Sequence, residues 1–152
     1  MLYLLALVIG IVAGLRAMVA PAAIAWAARL GMLDLHGSWL AFLGYRFTPW
    51  IFSLAALGEL VNDKLPATAS RTVPPQFGAR VVTGALSGGA VGVAAGSCII
   101  GALLGAIGAV LGTLGGARAR GALAAAFGRD MPAALVEDAI AIIVAALVVC
   151  AL

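Results

Sequence analysis

Charge is scarce in this sequence. Only 10% of its 152 residues are Asp, Glu, Lys or Arg, where a soluble domain carries about 25%. Such a chain cannot cover a water-facing surface with polar side chains. Histidine is scarcer still, with His36 alone, which excludes a histidine-based metal cluster. The two cysteines, Cys98 and Cys150, have no ligand spacing and no nearby histidine. They read as small membrane-buried residues. The first stretch, MLYLLALVIGIVAGLRAMVA, lacks the positive n-region of a signal peptide. It reads as an uncleaved first membrane segment. Basic residues are scattered, with a net charge of +3 and no basic face interleaved with aromatics. That pattern speaks against a nucleic-acid partner. The short alternating segments of an outer-membrane barrel are also missing.

What remains is apolar. Hydrophobic residues make up 64% of the chain, and the apolar runs reach the ~20 residues that span a bilayer core. The expected fold is all-α: one polytopic transmembrane helical bundle, residues 1–152, with about five spans. The first covers residues 2–29 and is kinked or broken near Arg16 and Pro21. An interfacial stretch follows from Leu30 to Phe47, with Trp39 and Tyr45 suited to the headgroup level. Thr48-Pro49 is a helix-start signal for a second span, 48–62. Residues 63–79 form a polar loop interrupted by Pro66, Pro74 and Pro75. The third and fourth spans, 79–96 and 98–120, are joined so tightly at Gly96-Ser97 that they form an antiparallel hairpin. Pro132 opens the fifth span, 132–151.

This layout puts the N-terminus, the 63–79 loop and the 120–131 loop on one side. That side carries Lys64, Arg71, Arg80, Arg118, Arg120 and Arg129, against Arg29 and Arg46 on the other. The excess of basic residues predicts that the first side is cytoplasmic. The expected location is a bacterial inner membrane, N-terminus in the cytoplasm and C-terminus outside.

Glycine supplies the strongest pattern. Gly84, Gly88, Gly92 and Gly96 recur every four residues, and Gly101, Gly105, Gly108, Gly112 and Gly116 continue in the next helix. Four-residue spacing lines glycines along one helix face. In lipid, such a face lets two backbones pack closely. The packing is expected between the third and fourth spans, within one chain or across a dimer. A sliding or pore-lining face is the sharper alternative.

A second pattern is a faint repeat. Gly14-Leu15-Arg16-Ala17 resembles Gly116-Ala117-Arg118-Ala119, and each is later followed by an acidic pair, at ELVND and VEDA. In the five-span layout the two segments enter from opposite sides. The repeat would then be inverted, as in many transporters.

The charges that do occur are therefore informative. Arg16 lies about 21 Å along the first helix, and Glu59 sits near the end of the second span. A charge at such depth costs a few kcal/mol and seeks a partner inside the protein. Arg16 with Glu59 is one pairing; an arginine of the following loop is the other candidate partner for Glu59. Glu59 and Asp63 share a helix face at i and i+4. Arg16, Glu59, Asp63, Lys64, Arg71, Arg80, Arg118, Glu137 and Asp138 form the candidate charge site. They either tie the loop to the helix ends or bind an ion, a proton or an anionic headgroup. Asp130 reads as a helix-start residue.

GLRAMVAPA, ELVNDKLP, SRTVPPQFGAR and ALVEDAIAI together resemble a bacterial family of small integral-membrane proteins, domain of unknown function 4126. The resemblance covers nearly the whole chain. It implies a membrane protein, supplies no activity, and adds weight to Arg16, Glu59, Asp63, Lys64, Arg71, Arg80, Glu137 and Asp138.

Two function classes follow. One is a small transporter or channel for an ion or solute. The other is a non-transporting membrane protein that packs with a partner or organises lipid. An enzyme is not expected, because His36 is alone and Ser70 has no histidine nearby in sequence. Metal-assisted lipid chemistry by the carboxylates is the remaining enzymatic alternative. No cofactor and no resident metal are expected. The expected partners are membrane lipid and a second copy of the chain, since five spans leave little room for a solute path.

Overall fold

The computed structural model describes residues 1–64 and 72–152, and among them all regular structure is helical. Six α-helices occur in the order α1 (Leu2–Leu15), α2 (Val19–Arg29), α3 (Thr48–Asn62), α4 (Pro74–Ala94), α5 (Cys98–Phe127) and α6 (Asp130–Cys150). A short 3-10 helix, Trp39–Gly44, precedes α3. By length and composition α4, α5 and α6 can each cross a membrane, and α1 is a shorter apolar helix.

The first expected span is two helices. Proline at position 21 cannot bond the carbonyl of Ala17 and its ring would collide with it. The helix therefore stops at Leu15, Arg16 turns extended at φ −139° and ψ 109°, and α2 restarts with Pro21 in its first turn. Proline is tolerated there because first-turn amides have no partner within the helix.

The chain reverses at this break. The Tyr3 hydroxyl donates to the Ala95 carbonyl at 3.1 Å, so α1 begins beside the α4–α5 turn. Leu7 and Ile11 of α1 then meet Gly108 and Gly112 of α5 in the same order, so the two helices run parallel. In α2 and α3, Met18 meets Glu59 and Trp26 meets Ser53, so that pair is antiparallel. The bundle thus has a charged end, holding Arg16, Asp63 and Asp138, and a hairpin end, holding Tyr3 and Ala95. This corrects the expected layout. The N-terminus lies opposite the end from which α3 exits, because the break adds a pass. The inverted repeat falls with it: the matched segments lie on α1 and α5, which run in the same direction.

Three helix boundaries also differ. The α4 helix starts at Pro74 rather than residue 79, since both prolines occupy its first two positions. The α5 helix continues through the alanine-rich GALAAAF to Phe127, seven residues past the expected 120, and stops at Gly128 in the left-handed region, φ +68°. Asp130 opens α6 two residues before the expected start, with its carboxylate at the positive end of the helix dipole.

Glycines set the central packing. A Cβ on Gly88 would stand 2.5 Å from the Gly101 carbonyl oxygen, and one on Gly92 2.6 Å from that of Ser97. On Gly84 it would meet Ala109 at 2.6 Å, and on Gly101 the Cα of Gly92 at 2.5 Å. Gly105 faces Gly84 and Gly88, while Gly108 and Gly112 lie against Leu7 and Ile11 of α1. Gly10 and Gly14 of α1 complete the contact. These faces are filled within the chain, so they are not free to build a dimer. Gly96 differs from the expected packing role: its φ is +92° and a Cβ added to it would meet nothing within 4 Å, so it makes the turn. Around this seam the core is built of small and branched residues, among them Ile9, Val12, Ile24, Val91 and Ala141.

Candidate functional site

The helix break exposes main-chain groups that a continuous helix would satisfy. The last carbonyls of α1 and the amides of Ala17 and Met18, just before α2, point into the bundle near its charged end. Unpaired main-chain groups at membrane depth are costly, and here three other helices supply their partners.

The Arg80 guanidinium, on α4, donates through Nη1 to the carbonyls of Gly14 and Leu15 at 2.8 and 2.7 Å. The Thr113 hydroxyl, on α5, lies 3.2 Å from the Gly14 oxygen and 2.8 Å from that of Ala109. At the other side of the break, Glu59 accepts from the amides of Ala17 and Met18, one on each carboxylate oxygen, both at 2.8 Å. A cation thus meets the negative end of one helix and an anion the positive end of the next. Arg80 and Glu59 also approach each other, at 3.5 Å.

The Arg16 side chain is fully buried. Its Nε and Nη2 reach Asp138 Oδ1 at 2.6 and 2.5 Å, and its Nη1 reaches Asp63 Oδ2 at 2.8 Å. Glu137 lies 3.6 Å from Nη2. Lys64 donates to Asp138 Oδ2 at 2.6 Å and to the Leu60 carbonyl at 2.9 Å. Arg120 pairs with Asp63, stands 3.5 Å from Glu137, and forks onto Asp130 at 2.9 and 2.5 Å. Among the described residues, Arg16, Lys64, Arg80 and Arg120 face Glu59, Asp63, Glu137 and Asp138, with Asp130 at the exposed rim. Asp63 lies just past the end of α3. Burial pushes its carboxyl up, but Arg120 and Arg16 outweigh that and hold it below the ordinary aspartate range.

Seven of the nine expected residues meet here: Arg16, Glu59, Asp63, Lys64, Arg80, Glu137 and Asp138. Arg16 pairs with Asp63, Glu137 and Asp138 rather than with Glu59. Arg118 does not join; it is exposed on α5. Arg71 lies outside the described residues. Arg120, assigned only to the basic side by the sequence, is a member. Once α5 runs straight to Phe127, Arg120 falls at i+4 from Gly116 and i+8 from Gly112, on the buried face. Arg118 is two residues away and points elsewhere. Arg16 and Arg118, the matched arginines of the proposed repeat, therefore occupy unlike environments.

Among the described residues, one cavity of about 510 Å³ is an apolar groove between α2, α3 and α6. Another of about 270 Å³ lies around His36 and Tyr45, and one of about 200 Å³ lies between α5 and α6 beside Arg120 and Glu137. None of these three is lined by Arg16 or Glu59. No protein-family model, no curated protein and no solved structure matches this chain.

Proposed function

We propose that this chain is a small membrane transporter or channel that carries an ion or small solute past the α1–α2 break. One observation carries the reading: a helix interrupted among the packed helices, with its two free ends held by Arg80 and Glu59 from other helices. Discontinuous helices of this kind form substrate and coupling-ion sites in secondary transporters. Irregular backbone at membrane depth is tolerated only where protein buries it or a cavity needs it.

The accompanying assignments are part of the same proposal. The protein resides in the bacterial inner membrane, surrounded by lipid, and belongs with the family of domain of unknown function 4126. The basic excess at the charged end makes that end cytoplasmic. With Tyr3 beside Ala95 and α6 returning to the same end, both termini then lie outside. A homodimer is the expected assembly, formed through faces other than the glycine seam. No enzymatic activity is assigned.

The second reading, a non-transporting protein that packs with a partner or organises lipid, is favoured by the balance of the site. Among the described residues each of the four cations meets at least one carboxylate, and such a network can act as a structural clasp. Flux separates the two. Purified protein in liposomes is loaded with proton-, potassium- or chloride-sensitive dyes, with Glu59→Gln as the control. Flux that Glu59→Gln lowers at least tenfold supports transport. No flux of these ions from folded protein leaves the clasp reading standing.

A further inference from the structure

We propose that α3 is a two-position arm, packed against α2 in this structure and able to pack against α6 instead. The gating role given to it below rests on the transport reading. The movement itself does not.

Helix α3 is held differently along its two ends. Toward the hairpin end its only described polar tie to α2 is Trp26 Nε1 donating to the Ser53 hydroxyl at 3.0 Å, beside an edge-to-face contact of Trp26 with Trp50 at 5.1 Å. Toward the charged end the ties are ionic. Glu59 holds the Ala17 and Met18 amides that lead into α2, Asp63 holds Arg16, and Lys64 holds Asp138 of α6. Between α3 and α6 lies the 510 Å³ groove. Most of α3 is not in the core: Leu54, Leu57 and Val61 are all more than half exposed.

The register across the groove follows from Lys64 and Asp138. The two helices run in opposite directions, so Leu57, seven residues before Lys64, stands level with residues 145 and 146. Leu57, Ala145 and Ala146 all line the groove. The α6 wall is therefore a small-residue surface at the height where α3 offers leucine. Such surfaces allow close approach of helices in lipid. Lys64 already ties the residues that follow α3 to α6, and closing the groove swings the stretch above it and breaks the tie of Asp63 to Arg16. That swing carries Glu59 away from Ala17 and Met18 and uncovers the start of α2. Packed elements with two discrete arrangements are the usual basis of such gates.

Cross-linking tests the movement. In a Cys98→Ala, Cys150→Ala background, Leu57→Cys is combined with Ala146→Cys. A disulfide requires the two Cα atoms within about 4.4–6.8 Å, so it forms only when the groove closes. The control pair is Leu54→Cys with Leu147→Cys, both exposed and outside the groove lining. The expected result is an intramolecular disulfide in most molecules for the first pair and little for the second. Adding Glu59→Gln, which weakens the tie to α2, should speed the first reaction several-fold. Failure of the first pair to form a disulfide, while both thiols react with maleimide, overturns the arm. So does equal cross-linking of the control pair. For a protein with flux, the oxidised first pair should lose it tenfold or more and regain it on reduction. Cross-linking without any flux keeps the arm and sinks the transport reading. Unchanged flux after full cross-linking sinks the gating role.

Discussion

Replacing Gly105 by alanine adds one methyl group where three helices meet. Its Cβ would strike the Gly84 carbonyl and stand 2.9 Å from the Cα of Gly88, and Gly10 of α1 faces the same residue. Each neighbour is main chain, so no rotamer change can relieve the contact. Overpacking costs about 1–3 kcal/mol, and a rigid main-chain neighbour sets the expectation at the upper end. Alanine's better helix propensity returns about 1 kcal/mol. The net loss is about 2 kcal/mol. Gly121→Ala makes the same chemical change in the same helix, with nothing within 4 Å of the added carbon. It should stabilise by up to about 1 kcal/mol. The two variants then differ by about 3 kcal/mol, or roughly 6–12 °C in midpoint. Both are purified in one detergent and unfolded thermally, followed by tryptophan fluorescence and by loss of the monodisperse peak. Equal midpoints, or a higher one for Gly105→Ala, would refute the packing argument.

Three further outcomes follow from the charged end. Arg16→Met removes the shared cation of Asp63, Glu137 and Asp138 and should cost about 3–5 kcal/mol, as for a broken buried pair; adding Asp138→Asn should recover part of the loss, and additive losses in a thermal series would contradict the network. Asp63 binds its proton less readily in the folded protein than when unfolded. Its contribution is therefore present above about pH 4 and fades as pH falls through the lower folded value; Asp63→Asn should flatten this acid limb, and an unchanged limb would remove Asp63 as its source. Reporter fusions at Met1 and Leu152 should place both termini on the same side of the membrane, and opposite sides would refute the reversal at Arg16.

Part of this arrangement is legible in the chain. Thr48-Pro49 announces α3, and a helix does cover the expected residues, Thr48–Asn62. Arg16, Glu59, Glu137 and Asp138 stand out because ionisable residues are rare within apolar runs. The reversal at Arg16 is not legible. Proline at 21 forbids a continuous helix, but a kink and a turn-back break the same local hydrogen bonds, and only packing against α5 and α6 chooses between them. Arg118 and Arg120 could not be told apart while α5 was expected to end at residue 120, because their phase depends on the helix continuing. The partner of Glu59 was hidden for a different reason. It is chiefly main chain, and which amides a break leaves free depends on where the break falls.

The distance in sequence between Arg16 and Asp138 has a consequence for biosynthesis. They lie 122 residues apart. At about 5–20 residues per second, the ribosome needs roughly 6–24 s to reach Asp138 after Arg16 has emerged. Through that interval Arg16 can pair with Asp63, made much earlier, but the Glu137 and Asp138 carboxylates do not yet exist. A nascent chain halted after α5 would keep that charge incompletely neutralised. The last helix to be made is thus the one that completes the pairing of the charge at the first break.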